Sequence, residues 1–171
     1  GIIGVIGMTI IEPYRLERLM TFLNYETDPL GDGYQLIQSI YALGSGGLLG
    51  AGLGQSKQKF LYLPENHTDF IFPIVGEELG FLGTFIIVAL FTIYAWRGLR
   101  IAMRTQDQFH CLLAVGLTMQ ITFQAFLNMG VVTGLLPVTG LTLPFFSSGG
   151  SSLLVSMVGV GLLLNLSRYI D

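Results

Sequence analysis

From Leu79 to Trp96 the chain reads LGFLGTFIIVALFTIYAW, without one charged side chain. Wound into an α-helix at 1.5 Å per residue, such a run approaches the roughly 30 Å hydrocarbon thickness of a bilayer. It ends on Tyr94 and Trp96, amphipathic rings of the kind that gather at membrane interfaces. Two more runs, about Phe109–Val132 and Ser151–Leu166, share the character. Hiding three such helices inside a soluble globule would need a polar coat. The chain lacks one: 51% of its residues are hydrophobic and 11% charged, where soluble domains carry about 25% charge. Its mean hydropathy is +0.66. Lipid removes the need for a coat, provided each helix pairs its own backbone groups. The expected fold is therefore an all-α polytopic membrane protein.

The opening GIIGVIGMTII has no initiator Met and no basic n-region, so it does not read as a signal peptide. It is also shorter than the roughly 20 residues a crossing takes. It reads as the tail of a transmembrane helix, and the sequence as a fragment of a larger protein. The expected division is residues 1–12 as that tail, 13–72 as a large outer loop, 73–97 as a membrane helix and 98–108 as a cytoplasmic loop. A membrane helix over 109–133, a re-entrant-like outer loop over 134–150 and a membrane helix over 151–167 complete it. Arg97, Arg100 and Arg104 between the first two full helices, and Arg168 after the last, set the orientation. Short loops rich in Lys and Arg stay in the cytoplasm.

A loop as long as 13–72 should carry structure of its own. Pro13 opens PYRLERLMTFLN, with Leu16, Leu19, Met20 and Leu23 on one helical face, as in a helix lying in the membrane surface. Tyr34–Leu43 predicts a second short helix with Ile37, Ile40 and Tyr41 on one side. The glycine run GSGGLLGAGLGQS follows. No G-K-[ST] closes it, so it is not a Walker loop. Tight turns and a phosphate cradle both remain open for it.

Ionisable residues concentrate in Pro64-Glu65-Asn66-His67-Thr68-Asp69, at the outer mouth of a membrane helix. In an extended backbone Glu65, His67 and Asp69 share a face. Glu77 and Glu78 follow one or two turns into the membrane, where ionisable groups are costly and invite a functional reading. A solvated loop whose acids cap the next helix is the plain alternative. Lys57 and Lys59 lie just upstream. Cations beside a carboxylate suit a phosphate-bearing substrate. Arg15 and Arg18 could join them or simply meet lipid headgroups. Gln120, Gln124 and Asn128 form one polar stripe on the second full helix, either helix glue or a substrate-facing row. His67 is read as a hydrogen-bonded structural residue before a metal ligand, and His110 as interfacial. The single cysteine, Cys111, sits in an apolar run and reads as a small buried side chain. The net charge of −3 is small and says little about partners, but the few basic residues form neither a patch nor a basic helix, so nothing suggests nucleic acid. GLLPVTGLTLPFFSSGG, 134–150, is too rich in Pro and Gly for a regular helix. It is too apolar for an ordinary loop, so it should dip into the membrane against protein.

Two segments resemble the shape, elongation, division and sporulation family that includes FtsW, RodA and SpoVE. One is GLGQSKQKFLYLPENHTDFIF with GEELG; the other is Asn128 followed by GLLPVTGLTLPFFSSGGSS. The resemblance covers essentially the whole sequence and looks closer to FtsW and SpoVE than to RodA. Two departures stand out: Pro73 where a small residue is usual, and Ser148 where the family commonly has Tyr.

The resemblance implies a peptidoglycan glycosyltransferase that polymerises lipid II into glycan strands in division or sporulation. This chain would form the C-terminal part of a ten-helix bundle in the bacterial cytoplasmic membrane, with its active loop outside. Asp69 would be the general base. Lys57, Lys59, Glu65, His67, Arg18 and Ser147 are the candidate substrate contacts. An ordinary Asp, with a pKa of about 3.9, is a weak base, which partial burial and a neighbouring acid would strengthen. The leaving polyprenyl diphosphate invites a divalent cation, Mg or Mn, with no ligand set visible. Implied partners are lipid II, the growing strand, a class B penicillin-binding protein transpeptidase, the N-terminal half of the same protein and membrane lipids. A lipid II flippase and a non-catalytic scaffold for a penicillin-binding protein are the competing readings. Polymer formed in detergent, which has no two sides, would exclude the flippase, and the scaffold leaves the acidic cluster unexplained.

Overall fold

The computed structural model describes residues 32–55, 69–147 and 149–169. The described residues form four helices: α1 (Asp32–Ser45), α2 (Ile71–Arg104), α3 (Gln108–Val132) and α4 (Gly150–Leu166), with a short 3₁₀ turn over Ser167–Tyr169. Helices α2 and α3 are long and apolar enough to cross a membrane, and α4 is a shorter apolar helix. The expected amphipathic helix at 13–24 lies outside the described residues.

Helix α2 starts at Ile71, and Pro73 sits inside its first turn. There a missing N–H costs nothing, because the first four amides of a helix have no partner within it. The helix continues through Arg97 and Arg100 to Arg104, where the sequence places a loop from residue 98. Only 105–107 separate it from α3. Arg100 lies over the Trp96 ring at 3.9 Å and Arg97 at 5.5 Å. The turn to α3 is capped by Asp107, whose Oδ2 accepts from the His110 backbone N–H at 3.1 Å and lies 2.9 Å from His110 Nδ1.

Gly80 breaks α2, with φ 68° and ψ −165°. This conformation is open essentially to glycine alone. An unbroken helix would bond the amides of Phe81 and Leu82 to the carbonyls of Glu77 and Glu78. The glycine run inserts itself into the gap. Phe81 N–H donates to Gly47 O at 2.9 Å and Leu82 N–H to Leu48 O at 3.3 Å. In return Ala51 N–H donates to Glu77 O at 2.9 Å and Gly52 N–H to Glu78 O at 3.1 Å. Each of these groups left unpaired near hydrocarbon would cost several kcal/mol, so the insertion is what makes the break tolerable. A Cβ on Gly50 would run into the Glu78 carbonyl. The run is thus a backbone joint. Its amides at Gly50, Ala51 and Gly52 serve Gly46, Glu77 and Glu78, so these three are not free to cradle a phosphate.

Helix α1 packs mainly on α2 and more lightly on α3. Its inward side is Gly33, Leu36, Ser39 and Ala42, while Ile40 and Tyr41 face out. Small residues bring the backbones close, and lipid puts no penalty on the outward apolar pair. Ser39 Oγ lies 2.8 Å from both Leu36 O and Val132 O, its one hydrogen serving either. One core joins Phe70, Phe72, Ile74, Ile87 and Phe91 to Ile121, Ala125, Met129, Val132 and Leu143. A second, at the arginine end, joins Ala102, Ala114, Leu163 and Leu166.

Candidate active site

Asp69 stands two residues ahead of α2, half-buried, at the end of the bundle away from the arginines. Two neighbours define its place. Asn128, on the last turns of α3 and 2% exposed, donates through Nδ2 to the Asp69 backbone oxygen at 2.8 Å and to Leu141 O at 2.6 Å. An exchanged amide would set an oxygen against two carbonyl oxygens, so hydrogen bonding itself fixes the orientation. The Asn128 Oδ1 is buried and has no hydrogen-bond partner among the described residues, an arrangement that costs about 1–3 kcal/mol. The second neighbour is Gly140, φ +67°, where an added Cβ would stand 3.6 Å from Asp69 Oδ2. The carboxylate therefore lies beside the bare Cα of the 134–149 segment.

That segment is folded into the protein, with Leu143 and Pro144 fully buried. Side chains supply the partners its irregular backbone needs. Gln124, one turn below Asn128, donates to Thr142 O at 2.9 Å, and its Nε2 lies 3.3 Å from Thr142 Oγ1. Thr142 Oγ1 is 3.2 Å from Ser152 Oγ on α4. Beside them lies an uncharged cavity of about 300 Å³ lined by Gln120, Ile121, Gln124, Thr142, Ser151, Ser152, Val155 and Ser156. Phe145 takes φ 68°, a strained value for an aromatic residue. With Phe146 it lines an apolar cavity of about 170 Å³ against Ile87, Leu90, Phe91 and Tyr94 of α2.

Of the site residues read from the sequence, the structure brings Asp69 together with Asn128 and Gly140. Ser147, expected to touch substrate, is buried, and its Oγ accepts the Leu143 N–H at 3.0 Å, a contact within its own loop. Lys57, Lys59, Glu65, His67 and Arg18 lie outside the described residues. Glu77 is buried at 5% exposure on the first turns of α2, and the Glu78 Oε1 has no hydrogen-bond partner among the described residues. Gly140 carries no side-chain chemistry, so no residue-type signal marks it. Among the described residues no three of His, Cys, Asp and Glu converge on a metal site. The described part does not by itself fit a divalent cation.

Apolar helices with an acid and a cluster of polar side chains at one end define a helical membrane protein. The chain belongs to the FtsW/RodA/SpoVE family of cell cycle proteins, whose sequence profile matches residues 1–171. It is 55% identical over 169 residues to the stage V sporulation protein E of Bacillus subtilis, covering 99% of this chain and 46% of that protein. It is 53% identical over 163 residues to a probable peptidoglycan glycosyltransferase FtsW of Trichlorobacter lovleyi, covering 95% and 43%. The chain thus spans about half the length of the curated relatives it matches.

Among solved structures, one described as showing structural coordination of polymerization and crosslinking by a peptidoglycan synthase complex matches with TM-score 0.73 and 33% identity. That match covers 99% of this chain and 49% of the other. The crystal structure of an Asp-to-Ala mutant of the rod shape determining protein RodA of Thermus thermophilus matches with TM-score 0.58 and 36% identity, covering 78% and 41%.

Proposed function

We propose that the protein containing this chain is a peptidoglycan glycosyltransferase that polymerises lipid II in division or sporulation, and that Asp69 is its general base. In the proposed step the Asp69 carboxylate takes the proton of the GlcNAc 4-hydroxyl of an acceptor lipid II. The freed oxygen forms a bond to the anomeric carbon of the growing strand. The bond from that carbon to the diphosphate breaks on the opposite face, inverting the centre and releasing polyprenyl diphosphate. The observation that carries this reading is the placement of Asp69: half-buried at the end of the bundle opposite the arginines, main chain bonded by Asn128, carboxylate beside a glycine that leaves room there. The names of the relatives support the same reaction class.

The arginines at the other end of α2 support placing Asp69 outside the cytoplasmic membrane of a bacterium. Lys57 and Lys59 are proposed to meet the diphosphate, with Glu65, His67 and Arg18 as further substrate contacts. Mg or Mn is the proposed neutralising ion, and a class B penicillin-binding protein the proposed partner. The test is lipid II polymerisation by the intact protein in detergent, with and without EDTA. Asp69→Asn keeps the shape and loses the base. It should lower turnover at least about 100-fold while lipid II binding persists. Full turnover by that variant refutes the assignment, and an intact wild type that makes no polymer in detergent refutes the glycosyltransferase reading.

A further inference from the structure

We infer that Asn128 is a positioning residue for this chemistry: its carboxamide fastens the main chain of Asp69 to the re-entrant segment at Leu141, and so sets where the carboxylate stands. The inference rests on Asp69 being the base.

Three segments distant in sequence meet at one NH₂ group. Asn128 is 59 residues from Asp69 and 13 from Leu141, and each of its two amide hydrogens has one of their carbonyls to itself. The platform is firm. Ala125 and Met129 beside it belong to the core, and α3 is unbroken from Gln108 to Val132. The clamped groups, by contrast, have no regular ladder to hold them. Asp69 lies in a turn before α2, and Leu141 lies in irregular backbone between α3 and α4. Leu141 directly follows Gly140, the residue beside the Asp69 carboxylate. One amide therefore bonds main chain on both sides of the spacing between carboxylate and loop. Displacing a reacting group by about 1 Å can cost 10²-fold in rate.

A purely structural residue would behave differently. Ser39, fully buried near the same end of α3 and bonding the Val132 carbonyl, provides the comparison: it also makes a buried side-chain bond to main chain but touches nothing at Asp69.

The experiment measures kcat and KM for lipid II polymerisation by the intact protein, together with its thermal unfolding, for Asn128→Leu, Asn128→Gln, Ser39→Ala and Asp69→Asn. Asn128→Leu should lower kcat about 30-fold or more while KM stays within about threefold. Ser39→Ala should shift unfolding comparably and change kcat less than about threefold. Asn128→Gln keeps both donors on a stem longer by one methylene, and should fold with kcat reduced at least about threefold. The inference is overturned if Asn128→Leu keeps more than half the wild-type kcat, or if Asn128→Leu and Ser39→Ala lose kcat in the same proportion as they lose stability. Should Asn128→Leu fail to fold, wild-type kcat in Asn128→Gln overturns it instead. An inactive Asp69→Asn beside a normal Asn128→Leu sinks this inference alone, whereas a fully active Asp69→Asn sinks the base assignment and this with it.

Discussion

The two ends of the bundle are held by different forces. At the arginine end regular helices meet through shape. Ala102, Ala114, Leu163 and Leu166 pack there, and a little further along Gly98 lies against Thr118, whose hydroxyl bonds only Ala114 O of its own helix at 2.7 Å. At the Asp69 end the chain is irregular, and hydrogen bonds between segments hold it: Asn128, Gln124 and Ser39 each bind main chain of a distant residue. The contrast follows from the solvent. Lipid is as apolar as the side chains, so burying them gains little, and helices associate by close packing. Wherever the backbone leaves the helix, each freed N–H or C=O needs a partner from the protein. Irregularity, which a site needs to aim a carboxylate, is therefore available only where polar side chains or a second loop are at hand.

Three substitutions test that contrast by thermal unfolding of the intact protein, in falling order of effect. Gly80→Ala sets a Cβ against the backbone of Leu48 and Gly50, in a conformation closed to alanine. Main chain cannot step aside, so the loss should be about 3 kcal/mol or more. A loss under about 1 kcal/mol would show that the joint yields. Gly98→Ala instead meets the Thr118 side chain, so about 2 kcal/mol of overpacking is expected, largely restored by adding Thr118→Ala. No restoration would mean that the arginine end also depends on rigid backbone. Gly140→Ala should cost only about 1 kcal/mol for its positive φ. Its added methyl would nonetheless sit beside the Asp69 carboxylate, and turnover should fall about tenfold. Unchanged turnover would place substrate away from that side of the acid.

Much of this plan is legible in the sequence. Hydropathy alone marks α2, α3 and α4 and the all-helical membrane fold, because a bilayer leaves few alternatives. Family resemblance marks Asp69. The four-residue spacing of Gln120, Gln124 and Asn128 announces a stripe, but not its target, since its partners are carbonyls, which every residue owns. For the same reason the glycine run gives no hint that it completes α2 some thirty residues on: the pairing is backbone to backbone. The inward face of α1 was hidden by lipid, which makes apolarity useless as a guide to direction. Ile40 and Tyr41 look outward, while Ser39 looks in.

A joint made of peptide groups is blind to side-chain identity. Leu48, Leu49 and Leu53 around it are exposed in this chain, at 76%, 81% and 77%. They can be exchanged to suit whatever surface lies against that rim, while the glycine pattern beneath keeps α2 aligned. The arrangement separates the side chains this rim presents from the peptide groups that keep α2 aligned behind Asp69.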